Sequence, residues 1–468
     1  MQITSNNSNP NTNSLIRNTE IGRADKFIDQ IKDTHCYVSE TGAWHIFNGT
    51  SWHPEDKKLV QQRAMDFIKS EGIRIGNIDD DITREEAGED FRRHANKAAV
   101  SNLTELASVQ LIKELSQFDT DKFALAVKNG WLNLRTGRLN NPEPAKLFSM
   151  TTTTEFTEGE PANLWRKTVD EVFKGEQDLA LYFQMAVGYS LLGGNSEQVL
   201  FICYGSGANG KSLLLDTIRN VLGTYAQAMP INTLMRGKQN AGSASPELAR
   251  LRGIRFALAA ETEKGHAWSA NRIKTLTGND MLTARGLYKD IIEFKSDATI
   301  WVACNHKPEV DSSDEAMWRR LRLIPFNRVF SREEQDPDLS SKLVDEYPGI
   351  LQWMLQGLAM YRAQNSLPEP EAVKKATSNY RNEMDSVKRF LATFAVIEAN
   401  STETISDVKD TYKYWCQDEG LRPLAASQFN EALESAGCEQ IKSGSTRKWR
   451  GLRLKEQDDI LARRFGMV

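Results

Sequence analysis

An apolar run at residues 199–204, VLFICY, leads directly into Gly205-Ser206-Gly207-Ala208-Asn209-Gly210-Lys211-Ser212, and LLLDTI follows. This is the GxxxxGK[ST] spacing in a strand–loop–helix setting, and no other stretch limits the fold of the chain so strongly. Glycines let backbone N–H groups converge on phosphate oxygens without a Cβ in the way. The start of the following helix adds the positive end of its dipole. Lys211 is placed to reach the β- and γ-phosphates, and Ser212 to offer a hydroxyl to Mg2+. Residues 205–212 are therefore the candidate ATP-binding loop, with ATP and Mg2+ as the expected cofactors.

A phosphate cradle alone says only that a nucleotide binds; three further features point to hydrolysis. The apolar run at 254–260 ends in Glu261-Thr262-Glu263. Residues two apart on an extended chain face the same way, so Glu261 and Glu263 can both address a metal and an attacking water. One of the two would hold the metal beside Ser212 and the other would polarise the water. A second apolar run, 299–304, ends in Asn305-His306-Lys307-Pro308, where Asn305 is placed to orient the water. Then EAMWRRLRLIPF sets Arg319, Arg320 and Arg322 just ahead of another strand. A planar, permanently charged guanidinium stabilises charge spreading over a phosphoryl group in transfer. Each feature also has an ordinary reading: solvated acids, a turn-forming Asn, a basic surface strand.

The near-continuous apolar strands of 162–330, separated by glycine turns and helices, predict an α/β unit whose sheet is covered on both faces. With 468 residues, the chain is too long for one core. The sequence divides into a polar Asn/Ser-rich leader at 1–20 and an α+β accessory domain at 21–155. The ATPase core follows at 160–335, with a helical extension at 336–384. A helix–helix–strand-pair module occupies 385–456 and a tail 457–468. In the accessory domain, Trp44, Phe47, Trp52 and Asn48-Gly49 predict a hairpin. Residues 57–118 read as helices, 123–139 return to strand character, and 151–161 read as a linker. Five scattered cysteines without a CxxC pair argue against disulfides and a cysteine-type zinc site. They fit a reducing cytoplasm. No apolar run approaches the length of a membrane span. A net charge of −4 is a poor footprint for a protein that coats DNA with its whole surface, so any nucleic-acid contact is expected to be local or to lie in an assembled pore.

In order, GSGANGKS, ALAAETEKG, KTLTGNDMLTARGLYKDIIEF, WVACNHKP and WRRLRLIPF resemble the motifs of superfamily 3 helicases. The likeness is to the helicase portion of the satellite-phage and poxvirus primase–helicases. The resemblance implies an AAA+ P-loop core in a hexameric homo-oligomer that threads single-stranded DNA, moving 3′ to 5′. It implies Lys211 and Ser212 in the P-loop, Glu261 as Walker B acid, Asn305 as sensor 1, and an arginine finger at Arg319 or Arg320. Thr262 stands where better-known members have a second acid, so the division of labour between Glu261 and Glu263 stays open. It implies a pore hairpin with Arg285, Tyr288 and Lys289 at or near its tip, pairing an ammonium for phosphate with an aromatic face for a base. Residues 385–456 resemble a winged-helix module, with 426–435 as its candidate recognition helix and Arg447, Lys448 and Arg450 on its basic wing.

No polymerising carboxylate constellation is visible. Asp79-Asp80-Asp81 lies in a polar stretch without strand context, so the expectation is a helicase without primase activity that acts on single-stranded and forked DNA. A primase or an initiator is the expected partner. An origin-binding protein whose ATP site controls assembly, and an NTP-driven DNA translocase, are the competing readings.

Overall fold

The structure, a computed structural model, describes residues 19–455 apart from 238–244, 261–266, 279, 286–290, 311–313, 420, 422 and 445. It opens with α1 (Glu20–Ile31), strands β1 (His35–Val38), β2 (Ala43–Phe47) and β3 (Trp52–Glu55), and helices α2 (Lys57–Gly76), α3 (Asp81–His94) and α4 (Lys97–Gln110). Short polar side chains start the helices. Thr19 Oγ1 accepts from the Gly22 N–H at 3.2 Å, Asp80 from Thr83 at 2.8 Å and Asn96 from Ala99 at 3.0 Å. Asp80 and Asp81, read as loop acids, thus start a helix instead. Ala24, Phe27, Ile28 and Ile31 form one face of α1 and pack on Val60, Ala64 and Phe67 of α2 and Leu103 and Ala107 of α4. The predicted hairpin is β2–β3, with Trp52 opposite Phe47. Asn48 Oδ1 closes its turn by accepting from the N–H groups of Thr50 and Ser51, each at 3.0 Å. Strand β4 (Ile112–Lys113) completes a four-stranded sheet in the order β3-β2-β1-β4.

Strands β5 (Ala124–Val127), β6 (Gly130–Asn133) and β7 (Arg138–Asn140) form an antiparallel meander over the stretch read as strand. Its Leu125, Val127, Leu132 and Leu134 enter the same apolar core as the helices of the α/β unit. The stretch read as a linker is docked rather than loose. Thr152 is buried, the Thr153 N–H donates to Val221 O at 3.1 Å, and Asn129 bonds both backbone groups of Phe156. Polar threonines and a proline hid this, because the segment is held by backbone hydrogen bonds rather than by an apolar period.

The α/β unit contains α5 (Asn163–Val172), α6 (Gln177–Tyr189), β8 (Leu200–Tyr204), α7 (Lys211–Leu222), β9 (Ala226–Pro230), β10 (Phe256–Ala260) and α8 (Ala270–Thr277). There follow β11 (Met281–Arg285), β12 (Ile291–Lys295), β13 (Thr299–Cys304), α9 (Glu315–Trp318), β14 (Leu321–Pro325), α10 (Tyr347–Gln364) and α11 (Glu371–Met384). Among the described residues its sheet has five strands in the order β14-β8-β13-β10-β9, all parallel. The strand that leads into the glycine loop is therefore flanked by the two latest strands of the unit. Alternate residues serve opposite cores. Phe201, Cys203, Phe256, Leu258, Trp301 and Ile324 face α5, α6, α7 and α10. Leu200, Ile202, Ala257, Ala259, Ile300, Val302 and Leu323 face α8, α9 and α11. The Trp301 ring bridges the first core, stacked on Phe201 at 4.4 Å and Phe256 at 5.5 Å.

Helices α6 and α10 cross at two glycines. A Cβ on Gly188 would lie 2.1 Å from Leu358 N, and one on Gly357 would lie 2.1 Å from Gln184 O. Both neighbours are backbone and cannot rotate away. Gly188→Ala is expected to destabilise the unit by about 3 kcal/mol through overpacking. Calorimetry checks this, and an unchanged melting temperature would remove the close crossing.

One residue after α11 the C-terminal module begins. It comprises α12 (Ser386–Phe394), β15 (Ala395–Thr404), α13 (Ile405–Asp418), α14 (Ala426–Ser435), β16 (Glu439–Ser443) and β17 (Thr446–Leu454). Its antiparallel sheet runs β15-β17-β16. Phe390, Tyr412, Trp415, Phe429, Leu433, Trp449 and Leu452 form its core. Trp449, which sits among the basic residues in sequence, is fully buried because strand alternation turns it inward between Lys448 and Arg450. No described helix is long and apolar enough to cross a membrane.

Candidate functional site

The glycine loop sits at the carboxyl end of the parallel sheet. Its backbone needs what glycine supplies: Gly207 has φ +108° and Gly210 φ +78°. A Cβ on Gly205 would lie 2.5 Å from Phe326 O, and one on Gly210 would lie 2.5 Å from Val172 Cγ2. Ala208 also takes a positive φ of +46°, and its carbonyl accepts from the Phe330 N–H at 2.8 Å. The loop is thus pinned to the chain that leaves β14. Ser206 and Ser212 remain exposed, and Asn209 is buried.

Lys211 opens α7 and is 5% exposed. Its Nζ donates to Gly205 O at 2.9 Å, Asn209 Oδ1 at 3.2 Å and Asn305 Oδ1 at 2.9 Å. Lys211 and Asn305 are 94 positions apart, yet the sheet register makes them neighbours. Cys304 pairs with Tyr204, so the residues that follow, Asn305 and Gly205, leave adjacent strands at one level. The ammonium has only neutral acceptors, and burial pushes its pKa down. Anionic phosphate oxygens would supply the counter-charge this site lacks. The Cys203 and Cys304 thiols beneath it are held protonated by burial, Cys304 with a pKa pushed up to about 12. They are packing groups rather than nucleophiles.

The donor set fits a triphosphate: a backbone cradle closed to side chains, a helix N-terminus and a buried amine. For Mg2+, Ser212 offers an exposed hydroxyl one residue from Lys211. Glu261 and Glu263 directly follow β10 but lie outside the described residues. So do Tyr288 and Lys289, between β11 and β12. Those two strands pair antiparallel, with Arg285 opposite Ile291. Arg285 is exposed at the end of β11, and its carbonyl accepts from the Ser245 N–H at 2.9 Å. Among the described residues no cluster of His, Cys, Asp and Glu could hold a metal.

The two candidate finger residues differ sharply. Arg320 is buried; its guanidinium donates to Ala316 O at 2.6 Å, Thr277 Oγ1 at 3.1 Å and Gln198 Oε1 at 3.4 Å. Arg319 is exposed, and among the described residues its guanidinium makes one long bond, to Gln198 Oε1 at 3.4 Å. Both lie at the amino end of β14, where the Leu200 N–H donates to Arg320 O at 2.8 Å. The glycine loop leaves the far end of β8. The four residue steps from Leu200 to Tyr204 separate the two by roughly 13 Å. Neither arginine reaches the phosphate cradle of its own chain. Arg322 is held by Glu369 at 3.0 Å. Sequence reasoning gave no role to Gln198, which contacts both arginines from more than 120 positions away, and no local pattern could have revealed it.

In the C-terminal module Arg447 is exposed, Lys448 half-buried, and Arg450 paired with Glu439 across β16–β17. That ion pair occupies one of the three basic groups expected on the wing.

Residues 24–174 match the family described as D5 N terminal like, and residues 203–320 match a family of unknown function. Over 422 residues the chain is 30% identical to an Acanthamoeba polyphaga mimivirus protein named "Putative helicase", covering 81% of this chain and 43% of that protein. A Frog virus 3 protein, also named "Putative helicase", is 30% identical over 252 residues, 50% of this chain and 26% of that protein. An African swine fever virus protein named "Putative primase" is 25% identical over 365 residues, 72% of this chain and 38% of that protein. The chain spans less than half the length of each of these three. Among solved structures, the apo NrS-1 C-terminal region shares the fold, with a TM-score of 0.51 at 12% identity, covering 91% of this chain and 98% of that one. In line with the superfamily 3 resemblance of its motifs, the chain carries a D5 N terminal-like segment and is a homologue of proteins of large DNA viruses named as helicases and primases.

Proposed function

We propose that the chain is the ATP-driven motor of a DNA helicase, an AAA+ unit that works as a hexameric ring on single-stranded DNA at a replication fork. The observation that carries this reading is the 2.9 Å bond from Lys211 Nζ to Asn305 Oδ1, in an all-parallel sheet whose glycine-loop strand lies between β13 and β14. In this reading Lys211 holds the β- and γ-phosphates, while Ser212 and Glu261 hold Mg2+. Glu263 and Asn305 position the water. Bound Mg2+ neutralises charge that develops on the phosphates. Arg319 completes the site of a neighbouring subunit. The β11–β12 hairpin, with Arg285, Tyr288 and Lys289 toward its tip, faces the pore. The direction of travel is 3′ to 5′.

The helix–strand–helix–helix–strand–strand order of the C-terminal module supports a winged helix, with Arg447 and Lys448 meeting the DNA backbone. If each meets one phosphate, replacing both with alanine lowers the slope of log K against log salt by about 1.4 for single strands. A fluorescence anisotropy series at several salt concentrations checks this, and an unchanged slope removes the wing from the contact. The α14 helix carries Glu431 and Glu434 and no Lys or Arg, which argues against tight base readout from it.

Unwinding of a forked duplex by the purified chain with ATP and Mg2+ tests the function. Helicase activity that needs a free 3′ single strand supports the reading. ATP hydrolysis with no unwinding on any fork would move it to an assembly switch.

A further inference from the structure

Helix α11 contacts the turn that follows Asn305, the short helix α9 and strand β14. Tyr380, fully buried on α11, accepts from Trp268 Nε1 at 3.0 Å and donates to Pro308 O, just beyond Asn305. Its ring also packs edge-on against Trp318 at 5.2 Å, the last residue of α9 and the one before Arg319. On the same helix, Arg381 pairs with Glu315 and Thr377 Oγ1 accepts from the Leu323 N–H at 3.1 Å.

Lys307 makes the most direct link. It lies two residues past Asn305, and its ammonium stands 4.6 Å over the ring of Tyr204, the residue immediately before the glycine loop. The same ammonium bonds the Glu383 carboxylate of α11 at 2.8 Å. One residue, Asp385, then separates α11 from α12. Its Oδ1 accepts from the Lys388 N–H at 2.9 Å and so caps the first helix of the C-terminal module. The path from glycine loop to module is therefore continuous: Tyr204, Lys307, Glu383, Asp385, α12.

We propose that Lys307 is a positioning residue that couples the Asn305 loop to α11, and that α11 passes the nucleotide state to the C-terminal module. This rests on the reading of residues 205–212 as a nucleotide site. A phosphate that takes the Lys211 ammonium releases Asn305 from its 2.9 Å bond. The 305–308 turn is then free to move, and Lys307 and Pro308 carry that movement to Glu383 and Tyr380. The C-terminal module then differs in local opening between the nucleotide-loaded and empty states.

Hydrogen–deuterium exchange on the full chain, with and without a saturating non-hydrolysable ATP analogue and Mg2+, tests the coupling. Nucleotide affinity is measured separately for each protein, so that variants are compared at equal occupancy and the nucleotide-site reading is judged on its own. In the wild type, nucleotide changes exchange in α12 and α14 by about fivefold or more. Glu383→Gln keeps the wild-type nucleotide affinity and loses that response. The pair is partly exposed and contributes little to stability, so the fold survives. Lys307→Met also loses the response, whereas Lys307→Arg, which can both stack and pair, retains it. A full module response in Glu383→Gln would overturn the proposal. So would a Lys307→Arg protein that behaves like Lys307→Met.

Discussion

Lys211→Ala lowers ATP turnover by about 10³-fold, the loss expected when a preorganised charged donor is taken from a phosphoryl-transfer site. The geometry behind this is specific. The ammonium is buried at the mouth of the glycine loop and already bonds both sides of the site, the loop through Gly205 and Asn209 and the β13 end through Asn305. Alanine removes the only charge among these groups and leaves three acceptors facing one another. Nucleotide affinity falls as well, since each charge-assisted bond to phosphate contributes about 1.5–3 kcal/mol. Steady-state turnover and equilibrium nucleotide binding check the two effects separately. Normal turnover by the variant would remove the loop from catalysis.

Arg319→Ala lowers turnover in the assembled protein by about 10³-fold or more, the range measured for arginine fingers. The same change at Arg320 acts differently. Arg320 ties the end of α8 to α9 through Thr277 and Ala316, and its removal strands buried acceptors at about 1–3 kcal/mol. Arg320→Ala therefore lowers the melting temperature, and Arg319→Ala leaves it unchanged. The assignment follows from exposure and from the roughly 13 Å of strand between these arginines and the glycine loop of the same chain. In the proposed shared site, Arg319 therefore serves the phosphate cradle of a second copy rather than that of its own chain. Turnover that falls equally in both variants, with equal loss of stability, would make both residues structural.

Much of this was legible in the sequence. Residues 299–304 gave β13 to the residue, and the runs at 199–204 and 254–260 gave β8 and β10 with ends shifted by one or two positions. Buried parallel strands are continuous apolar runs bounded by turn residues, so they stand out. The helix at 426–435 was readable for a related reason, since its apolar residues recur at helical spacing. What stayed hidden depends on pairing between distant positions. No local pattern sets Lys211 beside Asn305, or Gln198 beside Arg319. Alignment back from Phe326 on the family likeness favoured Arg319, but it could not show that Arg320 is the buried one, because adjacent residues leaving a helix point in different directions and only packing decides which is buried. Residues 151–161 looked like a linker because backbone hydrogen bonds to α7 leave no side-chain signature. The roles of Glu261, Glu263, Tyr288 and Lys289 rest on the motifs alone, since these residues lie outside the described structure.

The claim that the catalytic site is shared between copies has one direct measurement: ATP turnover after mixing Lys211→Ala with Arg319→Ala, each inactive alone. At a mixed interface one copy contributes an intact phosphate cradle and its neighbour an intact guanidinium. The mixture is predicted to regain turnover in proportion to the number of such interfaces, peaking near equal amounts. A mixture as inactive as its components, from two variants that still assemble, would contradict a shared site.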